Sequence, residues 1–230
     1  MGGTRGRRRQ AVAAAETRPP RERYRAQVRE EAKQHARQQI ATAGASALSL
    51  NAIAKQMGMS GPALYRYFAN RDELITELIT DAYRSLADTF RARAETGPDL
   101  AGLAHALRDW ALADPQRYLL IYGTPVPGYH APADTTRITQ EIMGHILDAC
   151  AAGDPPAEPP SPLAAHLADH RAWAGDHPAS PAALRRALAF WTRLHGVLSL
   201  ELAGHFTGMG LDVAELYADE VLAVGQAGLS

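Results

Sequence analysis

The sequence predicts an all-α protein of about nine helices. Three observations predict it. Apolar residues recur every three or four positions along most of the chain, the spacing that gathers them on one face of a helix. No run alternates apolar and polar residues for long enough to argue a strand. Helix start and stop residues punctuate the periodic stretches at intervals of roughly 8–24 residues, within the usual range of helix lengths.

The elements follow in order. Residues 1–24 read as a disordered basic arm. Its arginines (Arg5, Arg7, Arg8, Arg9, Arg18, Arg21, Arg23) oppose only Glu16 and Glu22, with few large apolar residues to anchor it. From Arg25, Val28, Ala32, Ala36 and Ile40 recur by fours, and Gly44 is a stop. Ser49 is placed as an N-cap, ahead of the inner stripe Leu50, Ile53, Ala54 and Met57. Gly58 ends that helix. Pro62 suits the first turn of a third helix, running to about Phe68 with Leu64 and Phe68 inward. A fourth begins near Arg71. Further helices are expected over 99–113, 115–122 and from about Ile138 to Ala152. The stretches Gly123–Asp134 and Gly153–Pro162, rich in proline, read as a loop and a linker. Ser180-Pro181 opens a long helix stopped by Gly204. Asp212 with Glu215 resembles a capping box for a last helix to about Val224.

Charge divides the chain. The net charge is −1. Residues 1–71 hold 14 Lys+Arg against 4 Asp+Glu, a balance of +10, and residues 72–230 hold 10 against 21, a balance of −11. A basic N-terminal part facing a polyanion, carried on an acidic body, fits that split. The single cysteine, Cys150, excludes an internal disulfide and a Cys-rich zinc site. No apolar run approaches the roughly 18 residues of a membrane span, and no secretory leader is visible, so a cytoplasmic protein without a membrane partner is expected. No G-x-S-x-G elbow, Walker loop or G-x-G-x-x-G occurs, which argues against an enzyme and against a nucleotide cofactor; no cofactor and no metal are expected. His166 and His170, four apart, have the spacing of zinc ligands, but a solvated helix explains them better.

The functional signal lies in Ser49–Phe68, SLNAIAKQMGMSGPALYRYF, two short helices and a tight turn in the basic part. In a helix-turn-helix the first helix crosses the DNA backbone and the second enters the major groove. Ser49 and Lys55 suit phosphate contacts. With Leu64 and Phe68 inward, Gly61, Pro62, Ala63, Tyr65, Arg66 and Tyr67 face a groove. Arg66 can donate to guanine or phosphate, and the tyrosines to phosphates or thymine methyls. Pro62 and Ala63 allow only apolar readout, so DNA shape would share in specificity.

Residues 49–74, SLNAIAKQMGMSGPALYRYFANRDEL, resemble the DNA-binding domain of TetR/AcrR transcriptional regulators, the similarity running from about Ala26 to Leu86. The resemblance implies a backbone-contacting cap at Ser49, a contact helix at Gly61–Tyr67 and a further phosphate contact at Arg71. Gly61 departs from the pattern, since relatives often carry a polar side chain there. The stretch from Trp191 to Leu202, with Trp191, His195 and Gly196, is similar to the Trp–His–Gly signature of one subgroup of C-terminal domains. It implies a DNA-binding domain over 25–71 and a ligand-binding and dimerisation domain over 72–230. It also implies a homodimer through the last two long helices, a palindromic DNA operator, and release of a repressor by a small-molecule effector. Trp110, Tyr118, Tyr122, Met143, Trp191 and His195 are the candidate effector contacts, with ordinary core packing as the competing role for each. Tyr129 is either a lid or simply exposed. The arm arginines either join DNA binding or remain solvated. The competing reading is a ligand-binding or interaction protein of the same fold with only non-specific DNA binding.

Overall fold

The computed structural model describes residues 19–123, 129, 132–152 and 162–226. The arm over 1–18, most of the proline-rich loop and the linker over 153–161 lie outside the described residues. Among those described there are ten α-helices, nine of seven residues or more, and no strand. They are α1 (Pro20–Ala43), α2 (Leu50–Gln56), α3 (Gly61–Leu64), α4 (Arg71–Ala94), α5 (Leu100–Ala113), α6 (Pro115–Tyr122), α7 (Ala133–Ala152), α8 (Pro162–Asp169), α9 (Pro181–Leu202) and α10 (Val213–Gln226).

The helix ends follow from local chemistry. Ser49, Asp99, Asp114 and Ser180 each accept a backbone amide three residues on, from Ala52, Gly102, Arg117 and Ala183. Gly44 and Gly58 stop α1 and α2 with φ of 77° and 67°, a region that costs an L-residue energy and glycine nothing. Removing the Ser49 hydroxyl should lower the stability of the N-terminal unit by about 1 kcal/mol. A Ser49→Ala urea unfolding curve checks this.

Two differences from the sequence expectation stand out. Helix α1 starts at Pro20, so residues 20–24 are helical rather than part of a disordered arm. Proline occupies the position where a helix needs no amide hydrogen bond, and the charged residues after it gave no apolar rhythm to read. Helix α3 is one turn long. The chain continues from it to Phe68 through Tyr67 N–H to Leu64 O and Phe68 N–H to Leu64 O bonds, 2.8 and 3.2 Å, so the helical sense persists as turns.

The chain divides into two compact units between Leu78 and Ile79, inside α4. The first packs Val28, Ala32, Ala36 and Ile40 of α1 with Ile53, Leu64, Phe68, Leu74 and Leu78, all buried. The second surrounds α9 with α5, α6, α7 and α10. Its core joins Leu86, Phe90, Leu107, Ile142, Ile146, Leu184, Phe190 and Leu198. Tyr217 of α10 donates its hydroxyl to the Ala104 carbonyl at 2.8 Å. Arg108 pairs with Glu201 at 2.7 Å, both side chains under a fifth exposed. Glu141 of α7 receives Arg84 at 2.6 Å and Arg91 at 2.5 Å from α4. Burial would raise its pKa, but the hydrogen bonds and charges of the two arginines outweigh that and hold it below the usual carboxylate range. No described helix is long and apolar enough to cross a membrane.

Cys150 is fully buried, and desolvation pushes its thiol up to about 12. Only the thiolate is nucleophilic, so the folded protein should resist maleimide at neutral pH and react once unfolded. Mass spectrometry before and after denaturation tests this, and rapid labelling of the native protein would contradict it.

Candidate nucleic-acid interface and ligand site

In the N-terminal unit, Leu64 and Phe68 are fully buried, as the spacing required. Their anchoring turns the other face outward. Pro62, Tyr65 and Arg66 are exposed, while Gly61, Ala63 and Tyr67 are partly exposed. Tyr65 is 44% exposed, unusual for a ring that hydrophobicity alone would cover. Lys55 is exposed on α2, and Ser49 is partly exposed at its start. Arg71 lies at the start of α4, where its guanidinium donates to the Ala45 carbonyl at 2.6 Å and pairs with Asp72 at 3.3 Å. The structure therefore brings the predicted contact residues together on the α2–α3 segment and joins Arg71 to the turn before α2.

Gly61 has room to vary. A Cβ built there would come within 2.7 Å of Asn51 Oδ1, the far end of an exposed, flexible side chain. A polar side chain at 61 would require only that Asn51 rotate. Gly61→Ser should therefore fold normally and shift the preferred DNA sequence, which repeating a DNA selection on the variant would reveal.

The sequence reading missed what holds this face in place. Arg29 on α1 donates to the Tyr67 carbonyl and to Glu77, and to Glu73 at 3.3 Å. Its guanidinium also lies over the Phe68 ring, 4.3 Å from the centroid. Arg25, one turn earlier, donates to the Arg66 carbonyl at 3.5 Å and lies 5.8 Å from the Tyr67 ring centre. Glu73 in turn accepts the Ala69 amide at 2.6 Å, while Asn70 Oδ1 accepts the Glu73 amide at 2.8 Å. These two bonds, to the amides of Ala69 and Glu73, fix the start of α4. Two arginines on α1 thus grip the carbonyls at the end of the contact segment, and two glutamates of α4 hold one of those arginines.

In the C-terminal unit the candidate effector contacts separate by their hydrogen bonding. Trp110 is buried and donates to Ser85 Oγ at 3.0 Å, so its polar atom is satisfied as core. Tyr118 is fully buried. Its hydroxyl lies 2.9 Å from His195 Nδ1 and 2.9 Å from Ser199 Oγ. Tyr122, Trp191 and His195 form a ring cluster with Tyr118, with Tyr122–His195 centroids 4.2 Å apart and Trp191–His195 centroids 4.1 Å apart. Nε2 of His195 and the hydroxyl of Tyr122 are buried without a partner. Met143 and Trp191 line a groove of about 460 Å³, together with Thr136, Thr139, Gln140, Ala172, Trp173 and Leu188. Tyr129 has a buried, unpartnered hydroxyl rather than an exposed ring. His166 and His170 stack at 4.0 Å, and among the described residues no group of three ligating side chains could hold a metal.

Burial lowers the His195 pKa to about 3, against 6.5 in the open. Between those values the unfolded chain takes up a proton that the folded chain refuses. Stability therefore falls as the pH drops below about 6.5, by up to about 1.4 kcal/mol per pH unit, until about pH 3. Urea unfolding at pH 7 and pH 5 should show a larger loss for the parent than for His195→Gln. Equal losses would exclude this contribution.

The basic, outward-facing α2–α3 segment has its counterpart in known proteins. A family model described as bacterial regulatory proteins, tetR family, matches residues 34–78. A second, described as tetracyclin repressor-like, C-terminal domain, matches residues 100–224. The chain belongs to the TetR family. Its relatives include HTH-type transcriptional regulators Mb1846 of Mycobacterium bovis and Rv1816 of Mycobacterium tuberculosis. Each is 39% identical over 184 residues, 74% of this chain and 78% of the relative. The crystal structure of regulatory protein SCO4313 superimposes with a TM-score of 0.83 at 68% identity, covering 90% of this chain and 98% of that one. A protein of unknown function from Rhodococcus sp. RHA1 shares the fold alone, with a TM-score of 0.65 at 22% identity over 88% of this chain and 95% of its own. This TetR-family chain is accordingly a transcriptional regulator, a non-enzymatic role.

Proposed function

We propose that this regulator is a cytoplasmic homodimer that represses by binding a palindromic operator and leaves it when a small molecule occupies the C-terminal unit. The observation that carries the DNA half is the outward face of 61–67, with Tyr65 and Arg66 exposed and the following carbonyls gripped by Arg25 and Arg29. A segment held so firmly, yet left uncovered, is preorganised for a partner. Gly61, Pro62, Ala63, Tyr65, Arg66 and Tyr67 meet base edges and phosphates, while Ser49, Lys55 and Arg71 meet the backbone.

Helices α9 and α10 supply the dimer face. Gly196 and Gly225 would each place a new Cβ in open space, and Leu200 and Leu222 are 45% and 61% exposed. Exposed leucines beside glycines suit helices that meet copies of themselves. Gly196→Trp should leave the protomer folded and shift the sedimenting species from dimer to monomer. An unshifted dimer would place the contact elsewhere.

Release requires an effector that prefers the conformation unable to span two half-sites, since equal affinity for both states shifts nothing. Selection from a random DNA pool, followed by a salt series, tests the reading. One enriched palindrome supports it. Binding without sequence preference that vanishes at moderate salt supports the alternative, a ligand-binding or interaction protein of the same fold, for which the side-chain-poor Gly61-Pro62-Ala63 run speaks.

A further inference from the structure

Two polar atoms on touching rings of the C-terminal unit are buried and unsatisfied: Nε2 of His195 and the hydroxyl of Tyr122. Native interiors seldom leave such groups unpaired, because their hydration is lost with nothing in return. The identity of each atom follows from its surroundings. The Tyr118 hydroxyl lies 2.9 Å from His195 Nδ1. Of the three groups this phenol reaches, Nδ1 at 2.9 Å is a better acceptor than the Ser199 hydroxyl at 2.9 Å and closer than the His195 carbonyl at 3.3 Å, so we assign the Tyr118 proton to Nδ1. The ring proton of the neutral imidazole then sits on Nε2, which makes the orphan atom a donor. Burial keeps His195 uncharged and keeps the Tyr122 phenol protonated, the latter reinforced by Tyr83 and Tyr118. Both groups can therefore donate to the same kind of atom, an oxygen acceptor.

The surroundings are apolar and aromatic. Trp191 packs 4.1 Å from the His195 ring and 5.6 Å from the Tyr122 ring, and it also walls the groove of about 460 Å³ with Trp173, Met143 and Leu188. Of that groove's polar side chains, Gln140 donates to the Ala172 carbonyl and Thr139 to the Thr136 carbonyl. Arg117 donates to the Trp110 carbonyl and to Ser85. A carboxylate would lose its hydration among these rings without gaining a dedicated cation among the described residues.

We infer that the ligand is an uncharged planar molecule with an apolar body and a carbonyl or hydroxyl oxygen, its body against Trp191 and its oxygen accepting from His195 Nε2 and Tyr122. This rests on the effector reading above and names the chemistry of that site. A planar body stacks on indole and phenol faces, and the two donors reject an analogue that lacks the oxygen, because they would then stay unpaired.

Three probes of one size separate the possibilities: 2-acetylnaphthalene, with one neutral acceptor; 2-ethylnaphthalene, with none; and 2-naphthoate, charged. Isothermal titration calorimetry on the full chain should show the acetyl compound binding at least tenfold tighter than the other two. Tyr122→Phe, which removes a single oxygen, should cut that preference to about threefold. His195→Phe should abolish it, with thermal unfolding of both variants confirming that they fold. Equal binding of the acetyl and ethyl compounds overturns the inference, as does tightest binding of the naphthoate. So does an unchanged preference in Tyr122→Phe, or no binding of any probe up to its solubility limit. The titration needs no DNA. A lost preference alongside an intact operator complex therefore strikes the ligand assignment alone, while a chain that binds the acetyl probe but no operator strikes the regulator reading alone.

Discussion

An Arg29→Ala variant will lose operator binding at physiological salt while its C-terminal unit stays folded. Arg29 is the common partner of the Tyr67 carbonyl, Glu73 and Glu77, and it lies over the Phe68 ring. Its removal leaves two carboxylates facing each other and a carbonyl without its donor. Breaking a fully buried pair costs about 3–5 kcal/mol. These side chains are 23–39% exposed, so screening reduces the loss to about 2 kcal/mol. That is a large share of what a small unit has to spare. The unit that remains folded would also hold the 61–67 segment less firmly, with its Tyr67 carbonyl released from α1. Arg29→Lys will rescue little, because one ammonium cannot replace a planar fork of donors reaching three acceptors. Fluorescence anisotropy with the selected operator, beside calorimetric unfolding, tests both variants. Full binding by the lysine form would show that charge alone suffices.

A Tyr65→Ala, Arg66→Ala double variant will bind the operator at least about 30-fold more weakly with an unchanged unfolding midpoint. Both side chains are exposed, and surface substitutions away from packed or paired groups rarely move stability by more than about 0.5 kcal/mol. A good base or phosphate contact contributes about 1–3 kcal/mol. The single Arg66→Ala change separates two roles. If Arg66 meets a phosphate, the slope of log affinity against log salt falls by about 2, one contact from each protomer, and all sequences weaken alike. If it meets guanine, one position of each half-site loses its preference. An unweakened double variant would remove α3 from the interface.

Much of this architecture was legible because helices advertise themselves locally. The fours-spacing of Val28 to Ile40 and of Leu74 to Leu86 marked buried faces, and Ser49 and Ser180 were caps whose only requirement is an amide three residues on. The outward face of 61–67 followed from two inward residues, Leu64 and Phe68. What stayed hidden depends on distant partners. Arg29 looks like any solvated charge on a helix, and its three acceptors lie 38, 44 and 48 residues away. Tyr118 and His195, 77 residues apart, read only as separate candidates, each for an effector contact or for the core, with nothing to pair them. The orphaned state of His195 Nε2 depends on which of its two nitrogens Tyr118 occupies, which no spacing encodes.

The sealed thiol of Cys150 makes the molecule its own spectroscopic blank. A cysteine introduced by Gln56→Cys, at an exposed position on α2, would be the one side chain to take a nitroxide under native conditions. In a symmetric pair of chains that places two labels on equivalent sites. The dipolar coupling between them then reads the spacing of the two α2–α3 segments directly, with and without a small molecule. No background mutation would be needed, because the natural sulfur is already silent.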